Sequence, residues 1–205
     1  MFYRLSCAIL RVVFRMFGGV TCAGLENIPA AGGVILAANH ISHVDPPAVG
    51  IYISRQVHYM AKEELFKVPM LGAWMRKVGA FPVRRGTADR KALTRAIEML
   101  KEGKLICIFP EGTRSPDGKL HEPELGIGMI ALKSRAPVVP AAVVGSNKVL
   151  PPGGKRLYRN PIRIYYGKPL VFEDLYDSAD TRRAYEEIGR RIMAAIAELL
   201  SRYGS

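Results

Sequence analysis

The sequence predicts an α/β fold, a single-domain sandwich in which helices flank a largely parallel central sheet, with an amphipathic helix at the N-terminus. Three observations predict it. The chain has 205 residues, a length typical of one domain. Hydrophobic residues make up 49% of the chain and charged residues 23%, which supports a packed core and excludes a disordered chain. Short apolar runs alternate with segments of helical periodicity, as they do where helices connect parallel strands.

Residues 1–17 form the first predicted helix and contain arginines but no acid. At about 100° per residue, Arg4, Arg11 and Arg15 fall within one narrow arc. The opposite side carries apolar residues: Phe2, Leu5, Ile9, Val13, Met16 and Phe17. Two interpretations remain open. The helix packs its apolar face on the protein core, or it lies in a membrane interface with its arginines toward lipid phosphates. The chain has no stretch of about 18 residues free of charged side chains, so no membrane-spanning helix is predicted.

Six apolar runs predict strands, several of them buried on both faces. They are residues 34–38, 57–61, 80–83, 105–109, 138–144 and 162–166. Helical periodicity predicts four further helices, at residues 46–54, 87–102, 124–135 and 181–203. The turn-rich residues 151–154 are followed shortly by another strand, so we interpret them as a loop within one domain.

The charge balance predicts an anionic partner. The chain has 30 basic and 18 acidic residues, a formal net charge of +12. A surplus of this size fits nucleic acid, an anionic membrane or a phosphate-bearing substrate. The cysteines, Cys7, Cys22 and Cys107, lie far apart in apolar runs. This pattern excludes a disulfide framework and a CxxC-type zinc site, and it suggests a reducing compartment.

Two glycine-containing segments have a superficial likeness to nucleotide-binding motifs. GTRSPDGK at residues 112–119 has one residue too many between its glycines for a P-loop, and Leu120 stands where a P-loop has Ser or Thr. GIGMIA at residues 126–131 does not follow a strand directly, as a dinucleotide fingerprint must. The chain also has neither GxSxG nor HExxH, so no serine-nucleophile elbow or zinc hydrolase site is predicted.

A histidine and an aspartate follow the first buried strand, in the segment NHISHVD at residues 39–45. A strand end in an α/β sheet is where side chains reach a substrate crevice. An imidazole such as that of His40 takes up a proton near neutral pH, and Asp45 can fold back across a tight turn to hold the other ring nitrogen. The pair predicts a general base with its orienting carboxylate. The structural alternative is that Asp45 caps the helix that begins at Pro46.

Two more polar segments end predicted strands. FPEGTRS at residues 109–115 offers a carboxylate, a glycine N–H, a hydroxyl and a guanidinium in consecutive positions, and GAFPVRR at residues 79–85 ends in Arg84 and Arg85. Backbone donors and an arginine suit a phosphate ester. A solvated arginine on a loop is the ordinary alternative for each segment alone. Three polar segments at three strand ends, however, indicate one site.

The chain resembles the lysophosphatidic acid acyltransferases, or 1-acylglycerol-3-phosphate O-acyltransferases, of phospholipid synthesis. The resemblance extends from Gly24 to Gly167 and rests on sequence blocks in a fixed order. They are GLENIP (24–29), NHISHVD (39–45), AKEELF (61–66), GAFPVRR (79–85), FPEGTRS (109–115) and APVVP (136–140). The pair NHxSxxD and FPEGTRS is its most specific part.

The resemblance implies acyl transfer from a thioester on coenzyme A or acyl carrier protein to the free hydroxyl of lysophosphatidic acid. It implies that His40 is the catalytic base and Asp45 its orienting residue. It places a further set of residues at the substrate: Ser42, Lys62, Arg84, Arg85, Glu111, Gly112, Thr113 and Arg114.

Within this set, the resemblance assigns residues 111–114 to the glycerol phosphate. Block spacing favours Arg85 over Arg84 for the phosphate itself, and Lys62 is the next candidate. We interpret Ser42 as a support for the turn and not as a nucleophile. Pro140 is expected to shape the acyl-donor side. The family pattern needs no metal or redox cofactor, and direct attack by the acceptor agrees with the missing nucleophile elbow.

The sequence departs from the family pattern at two positions in the histidine block. Ile41 stands where many relatives have glutamine, and His43 adds a second imidazole. Both positions bear on the acceptor pocket and leave the His40 and Asp45 pair intact. His58 and His121 match nothing in the pattern, and we interpret them as structural or solvated.

The resemblance leads us to expect an amphipathic membrane-interface helix at residues 1–19 and an acyltransferase domain at residues 20–205. The expected partners are a lysophospholipid acceptor, the thioester donor and an anionic membrane surface, without nucleic acid. The expected location is peripheral, on the cytoplasmic side of the cell membrane. One alternative is an acyltransferase for another lysolipid or for glycerol 3-phosphate. The other is a non-enzymatic basic protein that binds anionic membrane or nucleic acid, which would give His40, Asp45 and Glu111 no role.

Overall fold

In the computed structural model, which describes residues 1–84 and 89–204, seven strands form one sheet. The strands are β1 (Val20–Ala23), β2 (Val34–Ala38), β3 (Val57–Lys62), β4 (Phe81–Val83), β5 (Leu105–Ile108), β6 (Val138–Val144) and β7 (Ile162–Tyr166). The helices are α1 (Phe2–Met16), α2 (Asp45–Gly50), α3 (Pro69–Lys77), α4 (Arg90–Lys101), α5 (Leu125–Ser134), α6 (Ser146–Val149) and α7 (Thr181–Tyr203). The strand order across the sheet is β1-β7-β6-β2-β5-β3-β4.

The central part of the sheet is parallel, as predicted. Strands β6, β2, β5, β3 and β4 all run in the same direction. Strand β7 runs antiparallel to β6, and β1 pairs parallel with β7. The C-terminal ends of the five parallel strands therefore meet at one edge of the sheet, where an α/β fold places its ligands.

Strand β2 lies at the centre of the sheet and divides the core into two layers. Successive side chains of a strand point to opposite faces. Ile35 and Ala37 belong to the cluster formed with α4, α5 and α7, whereas Val34, Leu36 and Ala38 belong to the cluster on the side of α1 and α2. All five side chains are fully buried. A continuous apolar run is thus the sequence of a strand covered on both faces.

Helix α1 has three faces. Cys7 and Phe14 are buried, and Phe14 belongs to the core cluster beside α2. A second face is apolar but exposed, and it comprises Phe2, Leu5, Ile9, Val12, Val13 and Met16. On the third face Arg11 donates from Nε to the carbonyl of Ile51 at 2.8 Å and lies over the Tyr52 ring. The helix therefore packs on the core and also exposes an apolar face. The expectation that all three arginines point to lipid is wrong for Arg11.

Three elements had no sequence prediction: β1, α3 and the four-residue α6. The four residues of β1 are only partly buried, and α3 buries only Gly72 and Met75, so neither shows a long apolar pattern. Helix α4 begins at Arg90, because the Asp89 carboxylate accepts the N–H of Ala92 and caps the helix. The predicted start, residue 87, lies outside the described residues. Helix α2 ends at Gly50, four residues before the predicted end.

In the described parts of the chain, no helix is long and apolar enough to cross a bilayer.

Candidate active site

The three polar segments meet at the C-terminal edge of the sheet. Strands β2, β5, β3 and β4 are successive neighbours in the sheet. They end just before His40, the segment 109–115, Glu63 and Arg84, respectively. Lys62 at the end of β3 pairs with Val83 at the end of β4, which brings Lys62 close to Arg84. The parallel topology thus gathers segments that lie far apart in the sequence.

His40 and Asp45 form a buried pair. The Nδ1 atom of His40 lies 2.9 Å from Oδ2 of Asp45, and the two residues are 4% and 0% exposed. The same oxygen accepts the N–H groups of Ile41 and Ser42, each at 2.7 Å. Because a carboxylate can only accept, Nδ1 carries the hydrogen and Nε2 keeps its lone pair. The imidazole also stacks on Phe109, with 4.1 Å between ring centroids. The pair is therefore arranged as a general base and its orienting group.

The alternative interpretation of Asp45 as a helix cap is wrong. Asp45 is the first residue of α2, and the N-cap position belongs to Val44. Among the described residues, its carboxylate bonds only to His40, Ile41 and Ser42, which lie before the helix. The sharp turn is what brings these donors together, and Pro46 and Pro47 begin α2 directly behind it.

Asn39 starts this turn, and its role is not apparent from the sequence motif. Its Nδ2 donates to the carbonyl of Val143 at 3.0 Å, and its Oδ1 accepts the N–H of Val143 at 2.7 Å. The backbone pairing of β2 with β6 stops at Ala38 and Ala141. The amide side chain therefore replaces the next backbone pair of the ladder and frees the chain to turn. Its position directly after a buried strand is the signal that identifies it.

Glu111 contacts the catalytic segment through the backbone. Its Oε1 accepts the N–H of His40 at 3.0 Å, and its Oε2 accepts the N–H of His121 at 3.2 Å. The residue is 5% exposed, and burial raises the pKa of its carboxyl. Each carboxylate oxygen thus accepts one backbone N–H group, and the role of Glu111 at the glycerol phosphate stays a prediction. The residue positions His40.

Ser42 is hydrogen-bonded to the segment that follows β6. It is fully buried, and its hydroxyl donates to the carbonyl of Leu150 at 2.8 Å. This geometry agrees with the interpretation of Ser42 as a support for the turn, and its substrate-binding role stays a prediction. Pro140 lies buried in the middle of β6, where its carbonyl accepts the N–H of Gly167. Pro140 is not among the residues that line the cavity beside His40, and its role on the acyl-donor side stays a prediction.

The cationic side chains of the expected substrate-binding set are more exposed than His40 and Asp45. Lys62 lies 3.5 Å from Glu64, and Arg84 lies 3.7 Å from Asp89, with both cations at least half exposed. Arg114 is partly buried, next to the exposed Thr113. Gly112 adopts a φ of +67°, and a Cβ there would lie 2.8 Å from Cγ of Glu124, so glycine is required. Arg85 lies outside the described residues.

The two unmatched histidines have local partners. The Nδ1 atom of His58 lies 3.0 Å from the carbonyl oxygen of Gly79, and burial lowers the pKa of the imidazole. The ring of His121 lies 3.1 Å from Asp117, and backbone and side-chain hydrogen bonds lower the pKa of Asp117 to about 2. His43, the extra imidazole of the block, is exposed and borders the cavity beside His40.

A cavity of about 300 Å³ opens beside His40. Lys62 and His43 border it together with the base. Its remaining walls are mainly apolar and come from α1, α2, β3 and α3, with Leu10, Tyr59, Met60, Trp74, Met75 and Ala80 among the lining residues. Trp74 donates from Nε1 to Ser6 Oγ at 3.3 Å, which joins α3 to α1 across the cavity wall. The arrangement suits a long apolar group whose reactive end lies at the imidazole.

Comparison with known proteins identifies the family. The sequence profile described as Acyltransferase matches residues 19–144, which include all three polar segments. The chain belongs to the acyltransferase family. This acyltransferase is 37% identical to the 1-acyl-sn-glycerol-3-phosphate acyltransferase of Bacillus subtilis (strain 168), over 82% of each chain. It is 31% identical to the chloroplastic enzyme BAT2 of Brassica napus over 72% of its own length and 44% of the plant protein.

A solved structure has the same fold. The acyltransferase aligns with the crystal structure of the 1-acyl-sn-glycerophosphate (LPA) acyltransferase PlsC from Thermotoga maritima with a TM-score of 0.74. The sequence identity is 31%, and the alignment covers 95% of this chain and 78% of that one. The resemblance inferred from the sequence blocks is therefore confirmed, and the interpretation as a non-enzymatic basic protein is wrong.

Proposed function

We propose that this acyltransferase moves a fatty acyl group from a thioester to the free hydroxyl of lysophosphatidic acid and so forms phosphatidic acid. The observation that carries the proposal is the buried His40 and Asp45 pair at the mouth of an apolar cavity. The named relatives in Bacillus subtilis and Thermotoga maritima act on the same acceptor, according to their descriptions. Another lysolipid or glycerol 3-phosphate remains the alternative acceptor.

The reaction follows from the hydrogen on Nδ1 of His40. Nε2 takes the proton of the acceptor hydroxyl as its oxygen forms a bond to the thioester carbonyl carbon. Asp45 stabilises the imidazolium through Nδ1. The carbon–sulfur bond then breaks, and the imidazolium returns the proton to the leaving sulfur. No acyl-enzyme forms in this route, so it needs no nucleophilic side chain, metal or redox cofactor.

In this proposal the acceptor phosphate lies among the cations near the mouth of the apolar cavity. Arg84, Arg85, Lys62 and Arg114 supply cations for the phosphate, and the N–H of Gly112 and the hydroxyl of Thr113 add neutral donors. The apolar cavity receives the acyl chain. The donor is acyl-CoA or an acyl carrier protein thioester, since both present the same carbon–sulfur bond.

Radiolabelled acyl transfer by the purified chain tests the function. The assay compares lysophosphatidic acid, other lysolipids and glycerol 3-phosphate as acceptors, with each thioester as donor. The matched variant is Asp45→Asn, which keeps one acceptor oxygen for the turn but removes the charge. We expect transfer to lysophosphatidic acid to fall about a hundredfold or more in the variant while the fold is retained. Preference for another acceptor by the wild type would contradict the substrate, and full activity of Asp45→Asn would contradict the mechanism.

The proposed location is the cytoplasmic face of the cell membrane, held by the exposed apolar face of α1. Five of its residues, Leu5, Ile9, Val12, Val13 and Met16, are between 39% and 68% exposed. The acceptor is a lipid and the donor is soluble, so the site belongs at an interface. We infer that the positive net charge serves to bind the substrate phosphate and the anionic membrane, and not nucleic acid. Deletion of α1 would remove Phe14 from the core, so substitutions are the better test.

We expect the combined change Leu5→Gln, Ile9→Gln and Val12→Gln to weaken binding to anionic vesicles and to lower activity on vesicle-bound lysophosphatidic acid. Activity on acceptor in detergent micelles is expected to stay near that of the wild type, because these side chains do not line the cavity. Vesicle binding equal to that of the wild type would contradict the role of this face.

A further inference from the structure

The connection from β6 to β7 forms a cationic surface to which the proposed reaction gives no role. The chain has no Asp or Glu from Leu125 to Phe172, and it has eight Lys or Arg in that stretch. Strand β6 is the neighbour of β2 on the side away from β5, β3 and β4. The connection therefore leaves the same sheet edge as His40, on the side opposite Lys62 and Arg84.

Residues 151–159, with the sequence PPGGKRLYR, form what we name the basic loop. Lys155, Arg156 and Arg159 are exposed, and no ion pair joins them to a carboxylate among the described residues. Leu157 and Tyr158 lie between these cations and are 42% and 55% exposed. Cations interspersed with an exposed aliphatic and an exposed aromatic side chain are typical of segments that enter a membrane interface.

The base of the basic loop is joined to the catalytic turn and to α1. The N–H of Tyr158 donates to the carbonyl of Val149 at 2.8 Å. The next carbonyl, that of Leu150, accepts the Ser42 hydroxyl at 2.8 Å. On the other side, the N–H of Asn160 donates to the carbonyl of Phe17 at 2.9 Å, at the C-terminal end of α1. A ligand on the loop would therefore hold both the catalytic turn and α1 in a defined place.

We propose that the basic loop binds the anionic headgroups of a lipid bilayer. Lys155, Arg156 and Arg159 contact the lipid phosphates, and Leu157 and Tyr158 enter the interface. The inference rests on the proposed function, because a site that acts on a lipid must be held at the bilayer surface. Cations alone would fit any polyanion. The exposed Leu157 and Tyr158, and the attachment of the loop to α1, favour a bilayer over an acidic protein.

Vesicle binding by the full chain tests the inference without substrate. The probes are phosphatidylcholine vesicles with and without phosphatidylglycerol. The loop variant is Lys155→Gln, Arg156→Gln and Arg159→Gln. The matched control is Lys101→Gln, Lys133→Gln and Arg183→Gln, which removes the same charge from exposed positions on α4, α5 and α7 in the other layer. Each cation near an anionic surface contributes about fivefold, so we expect the loop variant to bind anionic vesicles at least tenfold more weakly than the control.

A second variant, Leu157→Ser with Tyr158→Ser, is expected to weaken binding to both kinds of vesicle, with the thermal unfolding midpoint close to that of the wild type. Equal losses in the loop variant and the control would overturn the inference, because net charge alone would explain them. Unchanged vesicle binding with loss of transfer from acyl carrier protein would also overturn it and assign the loop to an acidic protein. Acyl transfer in detergent micelles tests the proposed function separately. If the wild type showed no transfer there, the proposed function would fail, but the vesicle-binding result would not change.

Discussion

The carboxylate of Glu111 accepts the backbone N–H of His40 at 3.0 Å, so the acid of one strand-end segment holds the base of another. On the other side of the same residue, the carbonyl of His40 accepts the N–H of Ser115 at 2.8 Å. The backbone of the base is therefore fixed on both sides by residues 109–115. The acid and the histidine of the two specific sequence blocks are thus coupled through the backbone.

Glu111→Gln tests this coupling. A carboxamide has one acceptor oxygen, so either His40 or His121 loses its partner. A hydrogen bond to a charged group contributes roughly 1.5 to 3 kcal/mol, so we expect kcat to fall about tenfold or more, with the KM for lysophosphatidic acid nearly unchanged. Steady-state kinetics measure both, with the exposed neighbour Glu122→Gln as control. A raised acceptor KM at normal kcat would instead show that Glu111 contacts the substrate.

Arg114→Lys tests the phosphate site. Lysine keeps the charge but loses the bidentate geometry of a guanidinium on a phosphate. We expect the acceptor KM to rise about tenfold while the donor KM changes little, since a charge-assisted bond is lost on the acceptor alone. Arg183→Lys on α7 is the matched control. The same measurement on Arg84→Ala and Arg85→Ala decides which of the two adjacent arginines holds the phosphate. Equal changes in both KM values would contradict an acceptor-side role for Arg114.

Ala80→Leu tests the acyl cavity. Ala80 lines the cavity and is 8% exposed, so a larger side chain there occupies space that the acyl chain would use. We expect the preference among thioesters to shift toward shorter chains. The measurement is competition between donors of graded chain length. Ala8→Leu, on an exposed position of α1 outside the cavity, is the control. An unchanged chain-length profile in a folded Ala80→Leu variant would place the acyl chain elsewhere.

His58 predicts part of the pH dependence of stability. Burial lowers the pKa of His58 below its ordinary value of 6.5. The unfolded state therefore binds the proton more readily, and the free energy of unfolding falls as pH decreases below 6.5. We expect wild type to lose more stability than His58→Gln across this range. Urea unfolding of both proteins on either side of pH 6.5 measures the difference, and parallel pH curves would show that His58 is not the group responsible.

The sequence was sufficient for most of the sheet because buried parallel strands carry continuous apolar runs. Residues 138–144 and 162–166 are strands with the predicted bounds. The direction of β7 was not predictable, since an apolar run carries no sign of antiparallel pairing. Strand β1 and helix α3 were missed because their faces are largely exposed and lack periodic apolar residues.

The site was predictable as a set of residue types but not as a set of contacts. The pairing of His40 with Asp45 was predictable, because five residues are enough for the chain to fold back across a tight turn. The role of Glu111 was not visible, because its partners are backbone groups of residues 71 and 10 positions away. The pairing of Asn39 with Val143 likewise depends on which strand adjoins β2, and that neighbour is 104 residues away.

The most direct test of the proposed mechanism is acyl transfer by His40→Ala. In the proposed reaction Nε2 of this imidazole takes the proton of the acceptor hydroxyl, while Nδ1 is held by Asp45 at 2.9 Å. General-base catalysis contributes roughly a hundred- to ten-thousandfold in rate. We expect the purified variant to lose transfer from acyl thioester to lysophosphatidic acid by at least a hundredfold, while its fold and its binding to vesicles remain. Turnover near that of the wild type would contradict His40 as the base.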